Sequence, residues 1–163
     1  MSATAGKGGA TRLAARIAAV QALYEMEIGG KGVLETLAEF EAHWIGREID
    51  GVELGPTDAG FFRDTLAGVV REQRTLDPRV DAALSEGWPL KRLEVVLRAI
   101  LRAGAYELSF RGDVPAPVTI SSYVDVARAF YDGPEPGMVN AVLDKVARAV
   151  RPDEAGRKAG AGS

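Results

Sequence analysis

Cysteine is absent from this chain of 163 residues, and histidine occurs once. The first absence removes disulfides, thiolate zinc sites and cysteine nucleophiles together. The second leaves His43 as the one imidazole, beside Trp44 near the end of an amphipathic segment. It has no Ser, Cys or carboxylate partner at a recognisable catalytic spacing, so it is assigned no role. Runs of eighteen or more apolar residues are lacking, and Met1 to Ala10 contains no apolar stretch resembling a signal peptide, so no membrane association is expected and a cytosolic, cytoplasmic location is. None of the 19 glycines builds a Walker loop or a dinucleotide fingerprint after a strand. Glu25 and Glu27 are spaced i, i+2 and do not share a helix face, which makes them solvated charges and not a catalytic pair. These absences point away from an enzyme and call for no cofactor and no metal.

What is present is an apolar fraction of 47%, enough for the core of one domain at this length. The formal net charge of -3 does not announce a nucleic-acid binder, but its distribution is uneven. Between Glu25 and Asp64 ten acids face only Lys31, Arg47 and Arg63, whereas Lys91 to Arg111 and Lys145 to Lys158 each carry five bases against two acids. Such segments are equally compatible with solvated helix faces.

Helical periodicity dominates and strictly alternating β-branched or aromatic runs are missing, so the expected class is all-α with no sheet. Residues 1–10 read as a flexible arm, 11–152 as a single helical domain and 153–163 as a disordered, Gly/Ala-rich tail. Thr11 can cap a first helix running to about Ile28, with Leu13, Ile17, Val20, Leu23 and Tyr24 as its apolar stripe and Gly29-Gly30 as its end. A second helix spans Leu34 to about Ile45, and a loop covers Gly46 to Pro56. A third helix carries Phe61, Phe62, Leu66, Val69 and Val70. Asp77-Pro78 reads as N-cap and N1 of a short fourth helix that Gly87 ends. Leu90 to Phe110 is apolar around much of its circumference, as a central helix should be. The prolines of Gly112 to Pro117 make a stiff turn before a helix ending near Phe130. After a turn at Asp132 to Gly137, a final amphipathic helix runs through Val139, Val142, Leu143, Val146 and Val150, closed by Arg151-Pro152.

Arg12 and Arg16 are spaced i, i+4 on the first helix, away from its apolar stripe, with Lys7 preceding them. Positive charge at a helix N-terminus opposes the macrodipole at a cost of a few tenths of a kcal/mol per pair, which an anionic partner such as a phosphate can offset. Plain surface solubility accounts for the same residues.

The stretches AARIAAVQALYEMEIGG, FFRDTLAGV, AILRAGAYELSFRGDVPAPVTI and PGMVNAVLDKVARAVRP, taken in order from Thr11 to Pro152, resemble the NusB family. The combination of ILRAGAYEL, DVP and VNAVLDK is the specific part. The resemblance implies a compact bundle of about seven helices in two subbundles and an RNA-binding role in transcription antitermination during ribosomal RNA transcription. It implies pairing with the small-subunit ribosomal protein NusE, recognition of box A RNA, and assembly with NusA, NusG and RNA polymerase. Family members occur as monomers and as homodimers that cover the RNA surface, and the sequence is compatible with both.

Position by position, the resemblance implies RNA contacts at Lys7, Arg12 and Arg16, at Arg98 and Arg102 on the central helix, and at Met138 and Asn140 on the last helix. It implies a contact to the ribosomal protein at Tyr24, for which a core aromatic is the competing reading. Arg102 could instead hold an internal carboxylate such as Asp144, and Asn140 could satisfy a neighbouring backbone group. The chain departs from the family where Leu13 and Ala14 interrupt the arginines, and at Ile17, Leu97, Ser121-Ser122 and Ala141. Met138 replaces a phenylalanine, removing a flat ring able to stack on a base. Two other readings stand beside this one: a protein-interaction module whose RNA site has decayed, and an accessory domain of a ribosomal RNA methyltransferase whose catalytic part lies on another polypeptide.

Overall fold

A computed structural model describes residues 2–43, 48–49, 52–53, 56–84 and 89–154, with side chains over 11–42, 59–84 and 89–154. The elements are α1 (Ser2–Gly29), α2 (Val33–His43), β1 (Glu48–Ile49), β2 (Val52–Glu53), α3 (Pro56–Ala83), a 3-10 turn (Leu90–Arg92), α4 (Val95–Phe110), α5 (Ala116–Phe130) and α6 (Glu135–Val150). The all-α class therefore holds. A two-residue antiparallel ribbon, pairing Glu48 with Glu53 and Ile49 with Val52, is added within the expected loop.

Helix α4 is the centre. It packs against α1, α3, α5 and α6, and Leu97, Ile100, Leu101, Ala103, Ala105, Tyr106 and Leu108 are all buried. Two close approaches depend on glycine. A Cβ on Gly68 of α3 would stand 2.2 Å from Cζ of Tyr106, and one on Gly104 of α4 would stand 2.6 Å from Cδ1 of Leu143 on α6. Helix α1 reaches the core through small residues, because Ala14, Ala15, Ala18, Ala19 and Ala22 are buried and let its backbone come near α3 and α4. Its end follows the expected glycine logic: Gly30 adopts φ +69, and its N–H donates to the Met26 carbonyl at 2.8 Å.

Three boundaries differ from expectation. Helix α1 begins at Ser2, so residues 2–10 are helical where an arm was expected and Thr11 lies inside the helix instead of capping it. Extending an existing helix costs far less than nucleating one, and the glycines there cost only about 1 kcal/mol each relative to alanine. Among the described residues Asp77-Pro78 starts no separate fourth helix, because α3 runs through Pro78 to Ala83. An internal proline costs about 3 kcal/mol, but Leu76, Val80 and Ala83 continue the buried stripe past it, and that burial outweighs the local preference. Finally, the segment after Pro89 makes a 3-10 turn before α4 starts at Val95, where the Glu94 carboxylate accepts the Val96 N–H at 3.1 Å as an N-cap. Helix α2 ends at His43. Of the tail expected at 153–163, Asp153 and Glu154 are instead helical, with the Glu154 carboxylate accepting from Arg151 at 3.2 Å and from the Ala116 N–H, while Trp44 and residues 155–163 lie outside the described residues.

Candidate nucleic-acid interface

The arginines of the sequence separate into those that hold the bundle together and those that face outward. Arg16 is the clearest correction. Its side chain is 3% exposed, and its Nε and Nη2 donate to the two carboxylate oxygens of Glu107, each at 2.9 Å. The fully buried Tyr123 hydroxyl donates to the same carboxylate. The guanidinium also stacks near Phe61, 4.8 Å from the ring centroid, and near Tyr123, 5.7 Å away. Burial works against the Arg16 charge, but the Glu107 hydrogen bond and charge outweigh it and raise the Arg16 pKa. Burial, then the Glu107 charge, pushes the Tyr123 hydroxyl well up. Arg16 is thus an internal staple between α1 and α4, fully engaged by one carboxylate and unable to reach an external phosphate. It lies on the buried side of α1 because the alanines around it leave room for a long side chain to run inward.

Arg98 and Arg102 are also engaged in ion pairs, though less buried than Arg16. Arg98 pairs with Glu27 of α1 and donates to the Leu93 carbonyl at 2.6 Å. Arg102 makes a two-pronged bond to Asp77 of α3, at 2.8 and 3.0 Å, with Glu27 3.7 Å away. Asp77, read from the sequence as a helix cap, is therefore the internal carboxylate for Arg102, while Asp144 pairs with Arg148 at 3.0 Å. Both α4 arginines fasten that helix to α1 and α3.

Arg12 is different. It is half-buried, its guanidinium lies 4.6 Å from the Phe61 ring centroid, and among the described residues no carboxylate is within ion-pair distance. Against the same ring, 4.7 Å from its centroid, lies the guanidinium of Arg111, at the C-terminal end of α4. Arg111 donates to Asp64 at 2.9 Å and, through Nε and Nη2, to both oxygens of Asp113 at 3.0 Å each. Asp64 also accepts from the Tyr106 hydroxyl at 3.0 Å. The Arg111 hydrogen bond holds the Asp113 carboxyl down at about 2, with the Arg12 charge adding to the effect. Sequence reading missed that Arg111 joins Arg12 against the buried Phe61 ring. The signal available was the pair FFRD and FRGD, two Arg-Asp stretches that only the packing of α3 against α4 brings together.

The remaining positions are scattered. Asn140 is exposed on α6 and makes no hydrogen bond among the described residues. Met138, one turn end from it, is half-buried and lines an apolar cleft of about 490 Å³ with Leu93, Leu97, Val142 and Lys145. Tyr24 is half-buried on α1 with no hydroxyl partner among the described residues, and exposed Ile28 and Leu34 follow it at the α1–α2 corner. Lys7 belongs to α1, and its side chain lies outside those described. Among the described residues there is no group of acids and histidine suited to a metal ion, and no helix is long and apolar enough to cross a membrane.

The family model described as "NusB family" matches residues 13–148. The chain belongs to the NusB family. Among its relatives, the transcription antitermination protein NusB of Rhodopseudomonas palustris (strain HaA2) is 61% identical over 143 residues, covering 88% of this chain and 85% of that protein. The corresponding protein of Bradyrhizobium diazoefficiens is 61% identical over 146 residues, covering 90% of this chain and 88% of the relative. In structure, NusB of T. maritima superposes with a TM-score of 0.72 at 26% identity, over 88% of this chain and 95% of that one. A crystal structure of the antitermination factors NusB and NusE in complex with dsRNA matches with a TM-score of 0.68 at 26% identity, over 85% of this chain and 97% of the other. The six long helices described above are thus the NusB fold.

Proposed function

We propose that this chain is a transcription antitermination factor that binds box A RNA of ribosomal RNA transcripts together with the NusE ribosomal protein. The observation that carries the reading is the likeness to a NusB chain seen with both NusE and RNA, joined to close relatives named for antitermination. The geometry supports a scaffold: the buried ionisable groups of the core are spent on packing helices, and the outward-facing cation of α1 sits beside an aromatic ring. Arg12, with Lys7 on the same helix, contacts phosphate. Asn140 adds an exposed amide on α6, and Met138, two residues before it and on a different face of that helix, adds a thioether at the apolar cleft. Tyr24 offers its ring and hydroxyl to the ribosomal protein, at a corner that already exposes Ile28 and Leu34. The pair then joins NusA, NusG and RNA polymerase in the cytoplasm, and the chain itself carries out no reaction. Where it self-associates, the same basic surface is covered and RNA competes with the homodimer.

Fluorescence anisotropy of a labelled box A RNA and a scrambled control, titrated with the chain alone and with NusE, tests this. Preference for box A that tightens with NusE and weakens on Arg12→Ala is the expected result. Equal binding of both RNAs by a folded protein, with or without NusE, sinks it. Because binding that neutralises phosphates releases counterions, affinity should also fall steeply between about 50 and 200 mM salt.

A further inference from the structure

We propose that Arg111 is a second phosphate-binding arginine of the Arg12 surface, and that Asp113 occupies its phosphate-binding edge in the free protein as a built-in competitor. This rests on the RNA-binding reading above and adds a control to it. Arg12 and Arg111 both lie against Phe61, at 4.6 and 4.7 Å from its centroid; the ring itself is buried, and unlike Arg16, which shares it, these two guanidiniums keep some exposure to solvent. The edge that Arg111 presents to Asp113, Nε and Nη2 to two oxygens at 3.0 Å, is the fork geometry that also takes two non-bridging phosphate oxygens. The remaining guanidinium nitrogen stays on Asp64, which is itself held by Tyr106. Arg111 therefore remains oriented when Asp113 leaves.

Asp113 is built to leave. Its side chain is 59% exposed, against 39% for Asp64, and it sits in the turn after α4 with no other side-chain partner among the described residues. Moving it disturbs no helix. With Asp113 in place, two arginines face two carboxylates and the corner is neutral. With Asp113 displaced the corner carries one net positive charge. The buried pair shows the contrast, since Glu107 cannot be displaced from Arg16 without opening the core.

The test measures box A RNA binding by the full chain, with and without NusE, across about 50 to 200 mM salt. Asp113→Asn, and Asp113→Ser as a second variant, should tighten binding about threefold and make the slope of log affinity against log salt steeper by about 0.7, the value of one added contact to a single strand. In the double variant with Arg111→Ala the gain should vanish. If Asp113→Asn and Asp113→Ser leave affinity and slope unchanged while Arg12→Ala still weakens binding, the competitor idea is overturned and the RNA-binding reading survives. If the gain persists without Arg111, the charge acts non-specifically and the proposal is also overturned. Absence of box A preference in every variant overturns both.

Discussion

Arg12 and Arg16 stand one turn apart on the same helix and near the same phenylalanine, yet they belong to different parts of the protein's chemistry. Arg16 is almost completely buried and locked to a carboxylate that has no solvent exposure, whereas Arg12 is half-buried with no ion-pair partner among the described residues. The buried group contributes to which fold forms, and the outer one is left for an anion. Burial, not residue type or spacing, decides between these outcomes. Arg98, Arg102 and Arg111 fall between these extremes, each largely covered and paired with partly exposed carboxylates, of which Asp113 on Arg111 is the most exposed.

The largest effect should come from breaking the buried pair. Arg16→Ala leaves Glu107 without its counter-charge in the core, and removal of one partner of such a pair costs about 3–5 kcal/mol. Urea denaturation should show that loss as a lower midpoint. Arg16→Met combined with Glu107→Leu should be less destabilising than Arg16→Ala, because an apolar pair needs no compensation, although the Tyr123 hydroxyl then loses its acceptor. A midpoint unchanged by Arg16→Ala, with RNA affinity lost, would instead place Arg16 on the binding surface. Arg151 offers a second way to sharpen the contrast. Its guanidinium donates to the carbonyls of Glu107, Leu108, Arg111 and Val114 at 2.7 to 3.0 Å, closing the C-terminal end of α4 where a positive charge also complements the macrodipole. Arg151→Ala should cost about 2–3 kcal/mol in the same measurement, through carbonyls left without donors.

Close packing predicts a comparable loss from a single methyl group. Gly68→Ala puts a Cβ into the Tyr106 ring, so the ring or α3 must move, and overpacking of this kind costs about 1–3 kcal/mol, partly offset by about 1 kcal/mol of helix propensity. Thermal melting should register a net loss. A stabilised Gly68→Ala would mean that the tyrosine swings aside freely, and with it the Asp64 contact that orients Arg111.

The sequence makes the class and most of the helices legible because apolar periodicity over a dozen residues is a local signal. Leu97, Ile100, Leu101 and Leu108 are buried as their spacing implies, and Gly30 ends α1 with the backbone its residue type favours. What failed was local punctuation overridden at a distance. Asp77-Pro78 carries the dipeptide of a helix start, but its aspartate is used by Arg102, twenty-five residues further on, and the buried stripe continues beneath it. Arg16 lies three residues after Leu13 and four before Val20, a spacing that sets it along the apolar stripe and not opposite it, but only packing reveals its partner Glu107, ninety-one residues away. The family resemblance supplied the positions of cations and not their exposure. The contact of Arg111 with Phe61 is not legible in the sequence for the same reason, since a corner shared by α1, α3 and the end of α4 exists only after packing.

The smallest effect is the most specific to the outer corner. The Asp113 carboxyl is held at about 2 in the folded protein, against an ordinary value of 3.8, by its hydrogen bond with Arg111. A folded-state pKa below the unfolded one adds stability above the unfolded value, and that stability is lost as pH falls from about 3.8 through about 2. Since the side chain is more than half exposed, solvent screening keeps the contribution small, and the useful readout is the site itself and not the melting curve. Carbon-detected NMR titration of the Asp113 side chain should give a midpoint near 2 in the free protein, moving up toward 3.8 in Arg111→Ala. If saturating box A RNA displaces Asp113 from Arg111, the complex should shift the same carboxyl upward, because phosphate replaces its donor and adds negative charge nearby. A carboxyl unmoved by RNA would mean that the Asp113–Arg111 pair stays closed when RNA binds, leaving Arg12 to act without it.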